Sequence, residues 1–264
     1  MSNKIKIIEF SECQTQRMKE RGLGGVRGLV KTKDNVTYVV KPEALNQTLN
    51  EIMAQIIINF LGLTPIEYAF VIINGTHYGA LKYLDGLKRI GRKNYEMLTK
   101  EQKVEFLKHL FLNSFFDNED ISGEIYLTED GKIVSLDYGD AGIKMPLLNL
   151  DKRSDFEKRV LISSFHKKSE MHDFISQIRV YIEVVSKQCL DESIGIDDLR
   201  QVISDVINGF INADYSEYEE FLKELLTLHG ELLAFIYQEH LNGLIEAAEE
   251  LKTNLNKLFE DMPA

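Results

Sequence analysis

Leu136-Asp137-Tyr138-Gly139 is the last of three short strings whose order decides how this chain reads. Upstream stand Tyr38-Val39-Val40-Lys41-Pro42 and Asn118-Glu119-Asp120. The first is an apolar strand that ends in a lysine, because proline cannot donate to a β-ladder. The second is an acidic cluster directly after the hydrophobic stretch Leu110-Phe111-Leu112 and Phe115-Phe116. The third is another buried-looking strand, Ile133-Val134-Ser135-Leu136, leaving through an Asp-aromatic-Gly turn. Each string alone is weak, and their order and spacing carry the reading.

Working outward, Ile5 to Phe10 reads as a first strand. Gly22-Leu23-Gly24-Gly25-Val26-Arg27-Gly28 is a glycine-dense turn. Val26 to Lys31 and Val36 to Lys41 form a hairpin around Lys33-Asp34-Asn35. Leu49, Ile52, Met53, Ile56, Ile57, Phe60 and Leu61 follow helical spacing, with Gly62 as the C-terminal glycine and Pro65 beyond it. Strands from Glu67 to Ile73 and His77 to Tyr83 meet at Asn74-Gly75. Asp85-Gly86 marks a junction. Beyond about residue 98 the pattern turns helical. It covers Val104 to Phe116, Phe156 to Phe165, Met171 to Gln188, Ile196 to Phe210, Ser216 to Leu228 and Glu231 to Phe259. Short strands at Glu124 to Leu127 and Lys132 to Leu136 flank Glu129-Asp130-Gly131. The expected fold is α+β and two-lobed: a small β-rich lobe with one main helix over residues 1–85, then a larger helical lobe over 86–264.

Composition bounds the function. A 44% hydrophobic and 28% charged content is that of a soluble globular protein. Cys13 and Cys189 give neither a disulfide framework nor zinc spacing, and the six histidines show no ligand spacing. The start, Met1-Ser2-Asn3-Lys4-Ile5-Lys6, lacks the apolar core of a signal peptide, and no apolar run reaches the length of a membrane span. A cytoplasmic location is therefore expected. The net charge of −11 is uneven: 14 Lys+Arg against 8 Asp+Glu through Lys93, then 17 against 34. A basic first third suits a polyphosphate ligand, and the acidic remainder argues against nucleic acid as the main partner.

The chemistry-bearing residues follow from these strings. Gly22 to Gly28 would let backbone N–H groups approach phosphates, with Arg27 adding a charged contact, although an ordinary loop has the same composition. Lys41 at a strand end is costly to bury unless paired, and phosphate together with a carboxylate would satisfy it; a surface lysine is the alternative. Glu51 is the natural carboxylate partner. It lies nearly opposite the apolar centre of its helix, so the pairing requires that helix to be sandwiched. Asp117-Asn118-Glu119-Asp120 puts acids at a helix C-terminus, where the macrodipole favours cations; a metal or a substrate proton would relieve them, and so would plain solvation. Asp137, with Glu124 as a second carboxylate, is well placed to hold Mg²⁺ through oxygen atoms, or simply caps its turn.

Together these residues resemble the HipA-type serine/threonine kinases, distant relatives of the phosphatidylinositol kinases. Gly24-Gly25-Val26-Arg27 resembles the phosphate loop of that family, and Tyr38 to Pro42 its ATP-contacting lysine strand. Asn50-Glu51-Ile52 through Phe60-Leu61-Gly62-Leu63 is similar to its Asn-Glu-apolar helix with a Leu-Gly-Leu exit. Leu81-Lys82-Tyr83-Leu84-Asp85 resembles the strand entering its hinge, which makes Lys82 and Tyr83 nucleotide contacts. Asn118-Glu119-Asp120 matches the catalytic aspartate segment, and Leu136 to Gly139 the metal-binding turn. The resemblance implies ATP and Mg²⁺, transfer of a phosphoryl group to a protein Ser or Thr, Asp120 and Lys41 as catalytic residues, and Asp137 with Glu124 on the metal. It departs from the family after Asp120, where Ile121, Ser122, Gly123 and Glu124 replace a stretch with a histidine two positions on and a metal-binding asparagine five on. The loop is trimmed, which opens the alternative of a pseudokinase that binds ATP or a protein partner. The additional N-terminal subdomain of full-length HipA toxins is not expected, so a DNA-bound antitoxin is not an implied partner. The C-terminal hundred residues match no pattern beyond a helical lobe.

Overall fold

One hairpin organises the first sheet. β3 (Gly28–Lys31) and β4 (Thr37–Val40) pair antiparallel with Gly28 opposite Val40. Thr32 closes the turn: its N–H donates to Val36 O at 2.8 Å, and its hydroxyl accepts from Val36 N–H at 3.2 Å. Asn35 takes a left-handed φ of 62°, which asparagine tolerates. In this computed structural model the described residues are 6–9, 14–17, 28–40, 45–73, 75–116, 124–138 and 171–260. The expected phosphate loop through Arg27, Lys41 with Pro42, the Asp117–Asp120 cluster, Gly139 and the helix from Phe156 to Phe165 lie outside them.

Four more strands complete this sheet: β1 (Lys6–Glu9), β2 (Gln14–Arg17), β5 (Tyr68–Ile73) and β6 (Thr76–Lys82). The order is β1-β5-β6-β4-β3-β2, antiparallel except for the parallel β1–β5 pair. Gly75, with φ 77°, makes the β5–β6 turn as Asn74-Gly75 predicts. β2 was not foreseen. Gln14-Thr15-Gln16-Arg17 carries no apolar alternation, and this edge strand is defined by its ladder with β3. One face of the sheet holds a small core of Ile8, Val30, Tyr38, Val40, Ala69, Val71 and Ala80.

The other face receives α1 (Leu45–Phe60). Its end is a Schellman turn: Leu63 N–H donates to Ile58 O and Gly62 N–H to Asn59 O, with Gly62 at φ 72°. The helix lies very close to β6. A Cβ on Gly79 would stand 1.9 Å from Thr48 Cγ2, so only glycine admits α1 at this depth. Leu49, Ile52, Met53, Ile56 and Ile57 are buried, and so are Asn50, Glu51 and Gln55. The sandwiching that Glu51 required is therefore present.

Between Lys82 and Lys88 the chain leaves this sheet for a second one. There β7 (Lys88–Arg89), β8 (Ile125–Leu127) and β9 (Ile133–Ser135) pair antiparallel. α2 (Arg92–Tyr95) and β7 are short and polar, and periodicity did not reveal them. α3 (Lys100–Phe115) starts on a capping box in which Thr99 Oγ1 accepts from Gln102 N–H and Gln102 Oε1 from Thr99 N–H. Its second half, from Phe106 to Phe115, is almost wholly buried, so α3 is a central helix rather than an amphipathic surface one. α4 (Met171–Gln188), α5 (Ile196–Asn212), α6 (Ser216–His229) and α7 (Glu231–Glu260) follow the predicted periodicity within a few residues. Phe60, Phe115, Phe116 and Phe210 form an aromatic nest that joins α1 to α3 and α5, with Phe115 and Phe210 centroids 4.7 Å apart. Among the described residues no helix is long and apolar enough to cross a membrane.

Two outcomes follow from this packing. Gly79→Ala should cost about 1–3 kcal/mol, because the added methyl overpacks the α1 contact; urea unfolding should show a lower midpoint at unchanged slope. His109 is fully buried on α3, and burial pushes its imidazole down to about 4 from 6.5, weakly opposed by a backbone contact at Ile133. The unfolded chain then binds the proton more readily than the folded one. Stability should be whole above pH 6.5 and fall, by on the order of 3 kcal/mol, as the pH drops toward 4. His109→Leu should flatten this part of a stability-against-pH curve.

Candidate active site

The exit of β9 is anchored on two sides. Gln55 Nε2 on α1 donates to Ser135 O at 3.1 Å, and Asn113 Nδ2 on α3 donates to Ser135 Oγ at 3.3 Å. One residue on, Leu136 N–H donates to Glu124 O at 2.9 Å, which ends the β8–β9 ladder. Asp137 then turns into the left-handed region with φ 64°. Among the described residues only Asn35 is another non-glycine with positive φ. Such backbone costs on the order of 1–3 kcal/mol and persists where neighbours over-determine it. Those neighbours are Ser135 and Tyr138. Tyr138 is fully buried and stands edge-on to Phe116, with centroids 5.8 Å apart at 87°.

The end of α3 and the Glu51 face of α1 meet at this turn. Phe116, the residue before the Asp117–Asp120 cluster, touches Tyr138, the residue after Asp137. Glu51, one helical turn before Gln55 and 2% exposed, adds its negative charge to burial in pushing the Tyr138 hydroxyl upward. Helical spacing puts Glu51 and Gln55 on one face of α1, the face bonded to β9. Gly28 and Val40, which adjoin Arg27 and Lys41, are register partners at one end of the β3–β4 hairpin.

Glu124 lies opposite Leu136 at the ladder end, one residue before Asp137. Its Oε2 accepts from the Tyr126 hydroxyl at 2.5 Å. Burial, then the Glu124 hydrogen bond and charge, push that hydroxyl up to about 12, with Asp137 adding to the rise and Arg89 opposing it. Both carboxylates therefore act on one tyrosine. Among the described residues no group of three or more His, Cys, Asp or Glu side chains is arranged to hold a metal; Asp120 is outside that set.

Lys82 sits elsewhere. Strand alternation puts it with Tyr38 and Ala80, on the sheet face opposite α1. Its N–H donates to Glu67 O at 2.7 Å and its Nζ to Glu67 Oε2 at 3.1 Å, while the Tyr38 hydroxyl donates to Glu67 Oε1. Lys82 is thus not brought together with Glu51. Tyr83 N–H donates to Thr37 O at 2.8 Å, and its side chain is exposed. Gln55, Asn113 and Ser135 went unread in the sequence. A polar residue four positions after Glu51, inside an otherwise apolar run, was the available signal for Gln55.

No protein-family model matches the chain, and no curated protein matches it. Among solved structures it is similar to the crystal structure of CtkA, a proinflammatory kinase of Helicobacter pylori. The identity is 14%, the TM-score 0.56, and the match covers 98% of this chain and 100% of that one. At this identity the likeness carries the fold. The chain has a kinase-like two-lobed fold, with a small sheet lobe and a helical lobe.

Gln55 gives a direct check of the anchoring. Its Oε1 also accepts from Ile66 N–H at 2.8 Å, so Gln55→Ala orphans two buried backbone groups. The expected loss is about 2–4 kcal/mol of stability, together with faster amide hydrogen exchange at Leu136 and Asp137.

Proposed function

We propose that this protein is an ATP-dependent phosphotransferase that moves the γ-phosphoryl group to a hydroxyl, on protein Ser or Thr. The observation that carries the reading is Asp137, held in left-handed backbone at a strand exit that α1 and α3 both anchor. A carboxylate kept in costly geometry has a task that geometry serves. The kinase-like fold supports the same assignment.

Each residue has a role in this reading. Lys41 and the Gly22–Gly28 backbone bind the phosphates of ATP, with Arg27 beside them. Glu51 orients Lys41. Asp120 orients the attacking hydroxyl and receives its proton. Glu124 and Asp137 fit a magnesium ion. They are hard oxygen donors at adjoining ends of one hairpin, and Mg²⁺ is typically held by one or two carboxylates plus substrate phosphates. When bound there, Mg²⁺ neutralises charge on the transferring phosphates. The acidic helical lobe favours a basic protein target.

A second reading is a pseudokinase. It is favoured by the five residues after Asp120, Ile121 to Ile125, which include no asparagine, and by the Glu124 carboxylate accepting a hydrogen bond from Tyr126. Misplacing a group by about 1 Å can cost about a hundredfold in rate.

Titration calorimetry with Mg-ATP separates the outcomes. Lys41→Ala and Asp137→Asn should each weaken binding at least about tenfold. Asp120→Asn should bind normally and lose transfer of label from γ-labelled ATP to itself or to a cell extract. Equal affinity in all variants removes the nucleotide site. Intact binding without transfer in the wild type selects the pseudokinase.

A further inference from the structure

We propose that the α6–α7 hairpin is a built-in brace for α1, and that Tyr237 and Glu217 act through it as positioning residues for Glu51. The inference rests on the phosphotransfer reading for what Glu51 does, and not for the brace itself.

Two grips define the brace, one buried and one half-buried. On α7 the fully buried Tyr237 donates its hydroxyl to Asn50 Oδ1 at 2.9 Å, and Asn50 is the residue next to Glu51. On α6 the Glu217 carboxylate accepts from Asn59 Nδ2 at 2.6 Å and from the Tyr68 hydroxyl at 2.7 Å. A single carboxylate thereby joins α1 to β5, and burial together with Glu217 drives the Tyr68 hydroxyl strongly upward. The grips are tied to each other. Tyr218, next to Glu217, donates its hydroxyl to Tyr237 O at 2.8 Å, and Phe221 packs edge-on against Tyr237 at 5.7 Å.

The spacing of the grips gives them leverage. Asn50 and Asn59 are nine residues apart, about 13 Å along the axis and about 180° around it. One contact would let a helix pivot. Two contacts, separated along the axis and on opposite sides, oppose both tilt and rotation. α1 has no solvated face between them, since every residue from Leu49 to Ile58 is buried. Swinging Glu51 away from the Asp137 turn therefore requires breaking charge-assisted and buried hydrogen bonds at the same time. The C-terminal helices thus hold α1 in place beside the Asp137 turn.

Tyr237→Phe and Glu217→Gln remove the grips while keeping side-chain volume, and Asn59→Leu serves if Glu217→Gln fails to fold. Hydrogen exchange followed by mass spectrometry on the α1 peptides, and transfer kinetics with Mg-ATP, are measured on the full chain. Tyr237→Phe and Glu217→Gln should each speed exchange in α1 by about tenfold. Each should lower kcat while leaving the KM for ATP near the wild-type value. Adding Asn50→Leu to Tyr237→Phe replaces both polar partners by apolar groups and should return α1 exchange toward wild type. Unchanged α1 exchange in both variants overturns the brace. Faster exchange with unchanged kcat, in a wild type that transfers phosphate, overturns the positioning role. A wild type that neither binds nor transfers nucleotide defeats the phosphotransfer reading instead, and α1 exchange alone then decides the brace.

Discussion

Gln55 is the pivot of the structure. Its amide oxygen accepts from Ile66 N–H at the entry to β5, and its amide nitrogen donates to Ser135 O at the exit of β9. One fully buried side chain joins the helix of the first lobe to the hairpin of the second. Buried amides survive only when both ends are satisfied, so α1, β5 and β9 have one mutual arrangement. Thr48, Asn50 and Glu51 repeat the theme at other angles. Each is a buried polar residue of α1 that faces a different element: Thr48 meets β6, Asn50 meets α7, and Glu51 acts on the turn after β9.

The Asp137 turn follows from that arrangement. Its left-handed backbone is not what aspartate prefers in isolation. It is maintained because Ser135 is bonded from α1 and α3, while Tyr138 is locked against Phe116. The same contacts bring Phe116, the residue before the acidic cluster, beside the turn. α1, the end of α3 and the Asp137 turn, far apart in the chain, thereby share one corner. The aromatic nest of Phe60, Phe115, Phe116 and Phe210 supplies the apolar mass that keeps this corner in place.

Lys82 shows how strand register sets where a side chain goes. Its neighbours resemble a strand that leads to a nucleotide hinge, yet its side chain belongs to an ion pair with Glu67 on the opposite face of the sheet. Strand alternation contains that information only once the register with β4 and β5 is known. Glu51 is the reverse case. The helical wheel set it apart from the apolar centre, and burial of α1 on all sides brought it inside.

The local signals in the sequence determined the elements. Periodicity set α1 and the helices from α4 to α7, Asn74-Gly75 set a hairpin, and Gly62 set the end of α1, because each depends on contacts within a few residues. Periodicity failed for β2, β7 and α2, which are short and polar and exist by pairing or by connection. Tertiary structure alone decided that β1 lies parallel to β5, that α3 is central, that Gly79 admits α1 so closely, and that Gln55, Tyr237 and Glu217 hold α1 from the far end of the chain. Those facts are long-range hydrogen bonds and contacts between surfaces, and no window of sequence contains both partners.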